Sequence, residues 1–450
     1  MQAKDRIIVA LDVDSPDKAI GLVEKLAPVV GGFKIGLEFI TAMLAAVITA
    51  ADLEQSAPLN YKIRELFKLI AGKVFWDGKF KDIPNTIGGA AKALGPIGVK
   101  MFNVHASSGI EGMMAAVAAK GNADVLAVTV LTSFEENNAH LVYGAPSKAK
   151  VLQFARDAKL AGCRGVICSP QELVLLGKNA ELDDLRRVTP GIRSSSDPAD
   201  DQKRTLSPIE AIRYGADELV IGRPITKAVS PLEAAQAIAV EIEAGVKERF
   251  HLALFNKGKI KFGAFRLKLH EKHPDAPLSP IYLNIRDLPV WLYTLAGDAL
   301  HDLVVREKIG GFDYVIGIPK AGEPIGKALA RAFGKPHLRI EKIEGTEGRK
   351  ISSTILDPFE KGKKVLLIDD LVTKADTKRE AIESVEANGL EVAATLVLYD
   401  REQGGLEELN RTGRKVVAMA KLGETLDFFV REKKIPQTKK DEVMAYIAAN

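Results

Sequence analysis

Cysteine is nearly missing from this 450-residue chain, with only Cys163 and Cys168 present. Both lie in the apolar stretch 162–169, and their separation fits neither a CxxC redox pair nor a zinc site. They read as small buried thiols, and a reducing cytoplasm is the expected compartment. Long hydrophobic runs are missing as well. No segment approaches the ~18 uninterrupted apolar residues of a membrane span, and Met1–Arg6 has no apolar signal core. A surplus of one charge is missing too: 63 Lys and Arg face 59 Asp and Glu, a net +4. Neither nucleic acid nor a membrane surface is implied as partner. Repeats and low-complexity tracts are absent, which leaves an ordinary globular chain with small-molecule ligands.

At 46% hydrophobic and 27% charged over 450 residues, the chain exceeds what one core organises. The sequence predicts two domains, 1–248 and 249–450. The boundary is placed near 246–252, after the Ala- and Glu-rich helix 231–247 and before the Lys- and Gly-rich stretch 256–263.

Eight short apolar runs alternate with helical patterns in the first part: Ile7–Leu11, Phe33–Ile35, Val74–Trp76, Val99–Val104, Val125–Leu131, Val166–Cys168, Val188–Thr189 and Leu219–Ile221. That alternation predicts an α/β fold, a (β/α)₈ TIM barrel. Polar residues follow the runs: Asp12, Lys34, Asp77 with Lys79, His105, Thr132 with Ser133, Gln171, Arg193 and Arg223. The C-terminal strand ends are where barrel enzymes hold their chemistry. Asp77 and Lys79 are two apart at the end of one apolar strand, so they project together, and buried unlike charges must pair or work. Pro84 ends any ladder and leaves Asp82 in the following loop. His105 reads as a hydrogen-bonded wall residue.

The second part again alternates strands and helices, with Tyr314–Pro319, Lys364–Asp370 and Val392–Asp400 as strand candidates, and predicts an open, doubly wound sheet. The segment Gly345–Lys350 reads as a mobile polar loop.

The run Asp77-x-Lys79-x-x-Asp82, continued by Ile83-Pro-Asn-Thr86, resembles the motif of orotidine 5′-monophosphate decarboxylases. Asp12, Lys34, Asn103–Ser107, Val130–Ser133, Thr189–Arg193, Asp201–Arg204 and Ile221–Thr226 follow in that family's order. The resemblance implies cofactor-free loss of CO₂ from C6 of the pyrimidine. Such a reaction leaves a carbanion that only fixed electrostatics and a delivered proton can answer. Lys79 is then the proton donor and Asp77 lies against the departing carboxylate. Lys34 and Asp82 complete a charge network with Lys79 and the ribose. Asp12 holds a ribose hydroxyl, and Thr132 lies in the substrate pocket. Arg193, Gln202, Gly222 and Arg223 grip the phosphate. Asp82 and Thr86 reach into a partner subunit, so a homodimer or higher homo-oligomer is implied.

Lys364–Thr377, an apolar strand ending in Asp369, Asp370 and a hydroxyl-rich turn, resembles the phosphoribosyl-diphosphate loop of type I phosphoribosyltransferases. Gly317–Pro324, Asp400–Gly405, Lys261–Lys268 and Ser279–Tyr282 resemble the orotate-specific members. The resemblance implies transfer of phosphoribosyl to orotate with Mg²⁺ bound mainly through the diphosphate, which supplies the substrate of the first half in a route to uridine monophosphate. Asp369, Asp370, Thr373 and Thr377 would bind phosphoribosyl diphosphate, with Lys320, Arg339 and the catalytic cation Lys342. Lys268 and Arg401 would meet orotate. Lys374 and Ala375 replace a small residue and Gly in the phosphate turn, and Glu344 stands in the aromatic position of the mobile loop, where Arg349 and Lys350 are further cations. Two rival readings fit the same residues. One is a metal-dependent sugar-phosphate lyase or synthase barrel. The other makes the second half a catalytically decayed module that senses phosphoribosyl diphosphate or dimerises.

Overall fold

The computed structural model describes residues 1–49, 53–193, 206–266, 270, 274–345 and 348–449, without the side chains of 53–56, 342–345, 348–353 and 377. The chain forms two compact units, Ala3–Gly245 and Val246–Asn450, the second also taking in Met1–Gln2. Their boundary falls inside one helix, Pro231–Asn256.

The first unit is a closed barrel of parallel strands β1 (Ile7–Ala10), β2 (Gly32–Gly36), β3 (Val74–Phe80), β4 (Met101–His105), β5 (Asp124–Val128), β6 (Gly165–Ile167), β7 (Arg186–Pro190) and β8 (Glu218–Ile221). Closure is made by β1 pairing with both β2 and β8. All eight expected runs supply a strand, with ends moved by up to four residues. Such strands read well because they are buried on both faces. Inside the barrel Ile8, Ala10, Phe75, Met101, Leu126, Val188 and Val220 form one cluster. Each large member contributes about 1.5–3 kcal/mol by burial. The N-terminal ends carry an ionic group in which the buried Glu218 meets Arg186 at 2.7 Å and Lys100 at 3.3 Å, while Arg186 also reaches Asp124 at 2.7 Å. This is the stabilising end of a barrel, and chemistry belongs to the other.

The second unit holds a parallel five-stranded sheet. Two antiparallel pairs accompany it, one preceding its strands in sequence, β9 (Ile260–Phe265) with β10 (Ser279–Leu283), and one inserted between two of them, β13 (Ile340–Gly345) with β14 (Gly348–Ile355). The sheet runs β12 (His337–Leu338), β11 (Tyr314–Gly317), β15 (Lys364–Val372), β16 (Glu391–Asp400), β17 (Val416–Lys421). Ile316, Leu338, Val365 and Leu367 pack with Ile382 and Val385 of helix Asp376–Ala387. Gly322 opens the helix Gly322–Phe333 where a Cβ would lie 2.3 Å from the Ile368 carbonyl, so only glycine lets that helix approach β15.

One expectation is corrected here. Gly345 ends β13 and 348–350 begin β14, so the segment read as a loop is mostly paired strand. The segment itself is only Gly and polar residues, and the β-branched Ile351, Thr354 and Ile355, which suit a strand, come after it.

Candidate active sites

At the C-terminal end of the barrel, Asp12, Lys34, Asp77 and Lys79 line a cavity of ≈ 300 Å³ together with Thr132, Arg193, Gly222 and Arg223. Phe75, Val128, Val130, Ile167 and Val220 supply its apolar walls. The charges alternate in sign. Lys34 Nζ lies 2.9 Å from Asp12 Oδ1 and 3.3 Å from Asp77 Oδ2, and Lys79 Nζ donates to Asp77 Oδ1 at 2.8 Å. Burial disfavours the Lys34 ammonium, but attraction from Asp77 and Asp12 outweighs it, so its pKa is raised above 10.5. Gly36 keeps the array compact, since a Cβ there would come within 2.8 Å of Lys34 Nζ.

Asp77 and Lys79 do meet, but not by regular strand alternation. Lys79 takes φ 47°, in the left-handed region, and the β3–β4 register breaks between Trp76 and Phe80. Non-glycine residues held there cost roughly 1–3 kcal/mol, strain that clusters at functional sites. Asn103 on β4 accepts the Lys79 backbone N–H at 2.7 Å and donates to Asp77 Oδ1 at 2.6 Å. It was missing from the expected site residues, because nothing in its local sequence reveals a partner on the adjacent strand.

Arg193 follows β7 and Arg223 follows β8, and both line the cavity with Gly222. The cavity thus offers a charged cluster on and just after β1–β3, two guanidinium groups just after the last two strands and an apolar middle. That matches an anion with a second acidic group and a flat apolar body. Two expected members stand apart. Asp82 is exposed, its Oδ1 accepting the Ile83 N–H at 2.7 Å, and within this chain it does not join Lys79. Thr86 is exposed on helix Pro84–Ala93, and neither residue lines the cavity. Gln202 lies outside the described residues. His105 ends β4, where burial and the charges of Lys81 and Lys79 lower its pKa. Cys163 and Cys168 are free and buried, their thiols pushed up to about 12 by burial.

In the second unit β15 delivers Asp369 and Asp370. Asp369 is buried and its Oδ2 meets Lys378 Nζ at 2.7 Å, with Lys378 buried as well. Lys378 was not anticipated; it sits in the first turn of helix Asp376–Ala387, where sequence alone reads it as solvated. The Asp370 N–H donates to Asp369 Oδ1 at 2.9 Å, and burial, then the Asp369 charge, raises the Asp370 carboxyl pKa. Thr373 follows the strand, while the side chains of Thr377, Lys342, Glu344, Arg349 and Lys350 and all of Lys268 lie outside the described residues. Lys320 is exposed after a cis Pro319–Lys320 bond. Arg339 is exposed and forks onto Asp357 at 2.7–3.2 Å.

Arg401 is 8% exposed, and its Nε and Nη2 are buried without hydrogen-bond partners among the described residues. Burial lowers its pKa. A buried guanidinium with idle donors needs an acceptor, which a ligand can bring. The β9–β10 hairpin brings the two orotate-like segments together, pairing Lys261 with Tyr282 and Phe265 with Ser279. Among the described residues no group of three His, Cys, Asp or Glu could hold a metal, and no helix is long and apolar enough to cross a membrane.

Comparison with known proteins agrees with this division. Residues 5–238 match the model of the orotidine 5′-phosphate decarboxylase / HUMPS family, and residues 301–427 match a phosphoribosyl transferase domain. The orotidine 5′-phosphate decarboxylase of Moorella thermoacetica is 43% identical over 256 residues, covering 54% of this chain and 94% of that protein. That of Heliobacterium modesticaldum is 41% identical over 260 residues, covering 55% of this chain and all of that protein. The solved structure of Leishmania donovani UMP synthase matches with a TM-score of 0.52 and 21% identity over 100% of this chain and 98% of that one, a likeness of fold. The chain belongs to the orotidine 5′-phosphate decarboxylase / HUMPS family, and carries that family's domain first and a phosphoribosyl transferase domain second.

Proposed function

We propose that the barrel decarboxylates orotidine 5′-monophosphate and that the second unit makes this nucleotide from orotate and phosphoribosyl diphosphate, so that one chain performs consecutive steps to uridine monophosphate. The observation that carries the reading is the alternating array Asp12–Lys34–Asp77–Lys79 facing the same cavity as Arg193 and Arg223.

In the barrel, Arg193 and Arg223 hold the phosphate, with Gln202 as a further donor, and Gly222 allows close backbone approach. Asp12 takes a ribose hydroxyl and Thr132 a polar edge of the substrate. This pose sets the C6 carboxylate against Asp77, whose own charge is held in place by Lys34 and Lys79. When the C6–CO₂ bond breaks, its electron pair stays on C6. The Lys79 ammonium, held against Asp77 on the cavity wall, stabilises the charge and then delivers its proton to C6. No acceptor of electrons is needed. Asp82 and Thr86, exposed and outside this cavity, are read as contributions to the partner's site in a homodimer.

In the second unit, Asp370 with Asp369 binds the ribose diol of phosphoribosyl diphosphate, and the Thr373–Thr377 turn holds its 5′-phosphate. Arg401 meets orotate, joined by Lys268. Lys320, Arg339 and Lys342 are read as the cations of the diphosphate side. The substrate is the Mg²⁺ salt of phosphoribosyl diphosphate. This suits a protein site in which Asp369 is already neutralised by Lys378. The ion's contribution is to neutralise the leaving diphosphate.

The test of the barrel reading is turnover of orotidine 5′-monophosphate by the full chain without added metal, followed as uridine monophosphate formed. A chain that binds uridine monophosphate but leaves orotidine 5′-monophosphate intact would refute it.

A further inference from the structure

We infer that Asn103 is a positioning residue for the barrel reaction, one side-chain amide holding the Asp77 carboxylate and the Lys79 backbone in their working geometry. The inference rests on the decarboxylase reading and adds a residue that does not line the cavity.

Asn103 is fully buried, at 0% exposure, so no solvent competes for its amide. Its Oδ1 accepts the Lys79 N–H at 2.7 Å and its Nδ2 donates to Asp77 Oδ1 at 2.6 Å. These two contacts are mutually consistent. The backbone N–H can only donate, which makes the facing atom the carbonyl oxygen and leaves the NH₂ toward the carboxylate. The Lys79 N–H needs such a partner because φ 47° turns it away from the β3–β4 ladder, which is interrupted between Trp76 and Phe80. Without a side chain reaching across from β4, the left-handed Lys79 would leave a buried donor unpaired.

The second contact acts on Asp77. Its Oδ1 receives both the Asn103 amide and Lys79 Nζ, while Oδ2 faces Lys34. With three donors on two oxygens the carboxylate cannot rotate, so its charge and the Lys79 ammonium stay at a fixed offset. Substrate charge develops close to both groups, and a displacement of about 1 Å at such a centre costs roughly 10²-fold in rate. Asn103 therefore acts on the chemical step through Asp77 and Lys79.

The experiment uses the full chain carrying Asn103→Leu or Asn103→Asp. The first removes both hydrogen bonds at similar volume; the second keeps the acceptor for Lys79 but sets a second carboxylate against Asp77. The measurements are kcat and KM for orotidine 5′-monophosphate, affinity for uridine monophosphate, and exchange of the uracil C6 hydrogen in deuterium oxide, which reads proton transfer in reverse. Expected is a fall of about 10²-fold in kcat and in exchange for both variants, with KM and product affinity within about threefold of wild type. A folded Asn103→Leu chain with kcat within about threefold of wild type overturns the inference. So does a product affinity that falls in step with kcat, because that marks a collapsed cavity and a merely structural amide. If Asn103→Leu does not fold, Asn103→Asp decides by the same criteria. An unmodified chain that does not decarboxylate would remove the underlying reading, and that failure shows before any variant is made.

Discussion

In the barrel, four charges of alternating sign stand just after β1 and on β2 and β3 around one cavity, and each carboxylate has its ammonium within 3.3 Å. In the second unit one carboxylate of the pair is taken by the buried Lys378, the other is left with a raised pKa, and the Arg401 guanidinium has donors without partners among the described residues. Under the proposed function, the contrast follows from the two chemistries. A cofactor-free carbanion has to find its countercharge in the protein, so the site is assembled on rigid strands before substrate arrives. A transferase acting on a metal diphosphate lets the substrate bring its own cation and its own acceptors, and the protein keeps donors in waiting.

Breaking the assembled site should cost most. Lys79→Ala is expected to lower decarboxylation by more than ~10⁴-fold, beyond a lost general acid, because the same group also answers the carbanion charge. Orotate consumption by that variant should stay at the wild-type rate. Retention of a tenth of the decarboxylation rate would dissolve the contrast between the two sites.

The reciprocal change is Asp369→Asn with Asp370→Asn. Mg²⁺-dependent orotate consumption should fall by about 10³-fold while decarboxylation is untouched, since units with separate cores fail separately. Initial rates of both reactions on one preparation check this, and a parallel loss of decarboxylation would deny the independence of the units.

Arg401→Met sharpens the comparison from the ligand side. If its unpaired donors wait for orotate, the KM for orotate should rise about 10–100-fold, the worth of a charge-assisted hydrogen bond, with the KM for phosphoribosyl diphosphate little changed. An equal rise in both would mean that Arg401 supports the fold rather than the ligand.

The smallest effect concerns pH. His251 is buried against Tyr399, with Nδ1 at 2.5 Å from the hydroxyl, and burial followed by the Lys247 charge lowers its pKa from 6.5 to about 3. The unfolded chain then binds a proton that the folded unit refuses between those values, so stability rises with pH and is lost as pH falls from 6.5 toward 3. The slope is at most about 1.4 kcal/mol per pH unit. His251→Gln should flatten the pH dependence of the second unit's urea midpoint in that window, leaving the barrel's own transition alone. An unchanged slope would mean that His251 does not set the unit's acid response.

Much of this was legible in the sequence, for reasons that differ by element. The eight barrel strands could be read because all but β7, where Val188 stands alone, carry a short buried run of Ile, Val, Leu or Phe, and because charged residues recur just past their C-terminal ends. Asp77 and Lys79 were rightly brought together, though the reason was incomplete: their contact depends on the left-handed Lys79 and on Asn103. Asn103, noticed only as the start of the segment Asn103–Ser107, and Lys378 were given no role because each takes its meaning from a partner on a different element, and no local pattern carries that information. Gly345–Lys350 was misread as a loop because a two-stranded hairpin has little apolar alternation to show. The pairing of β9 with β10, by contrast, turned two separately noticed motifs into one piece of structure.

The central claim, that two dissimilar sites on one chain run consecutive steps, is tested most directly by one reaction. The unmodified full chain is mixed with orotate, saturating phosphoribosyl diphosphate and Mg²⁺, and orotate, orotidine 5′-monophosphate and uridine monophosphate are quantified over time. The account predicts that orotate disappears and uridine monophosphate accumulates in equal amount. Orotate left unconsumed by a preparation that still decarboxylates added orotidine 5′-monophosphate would contradict it, and would leave the second unit as a binding module.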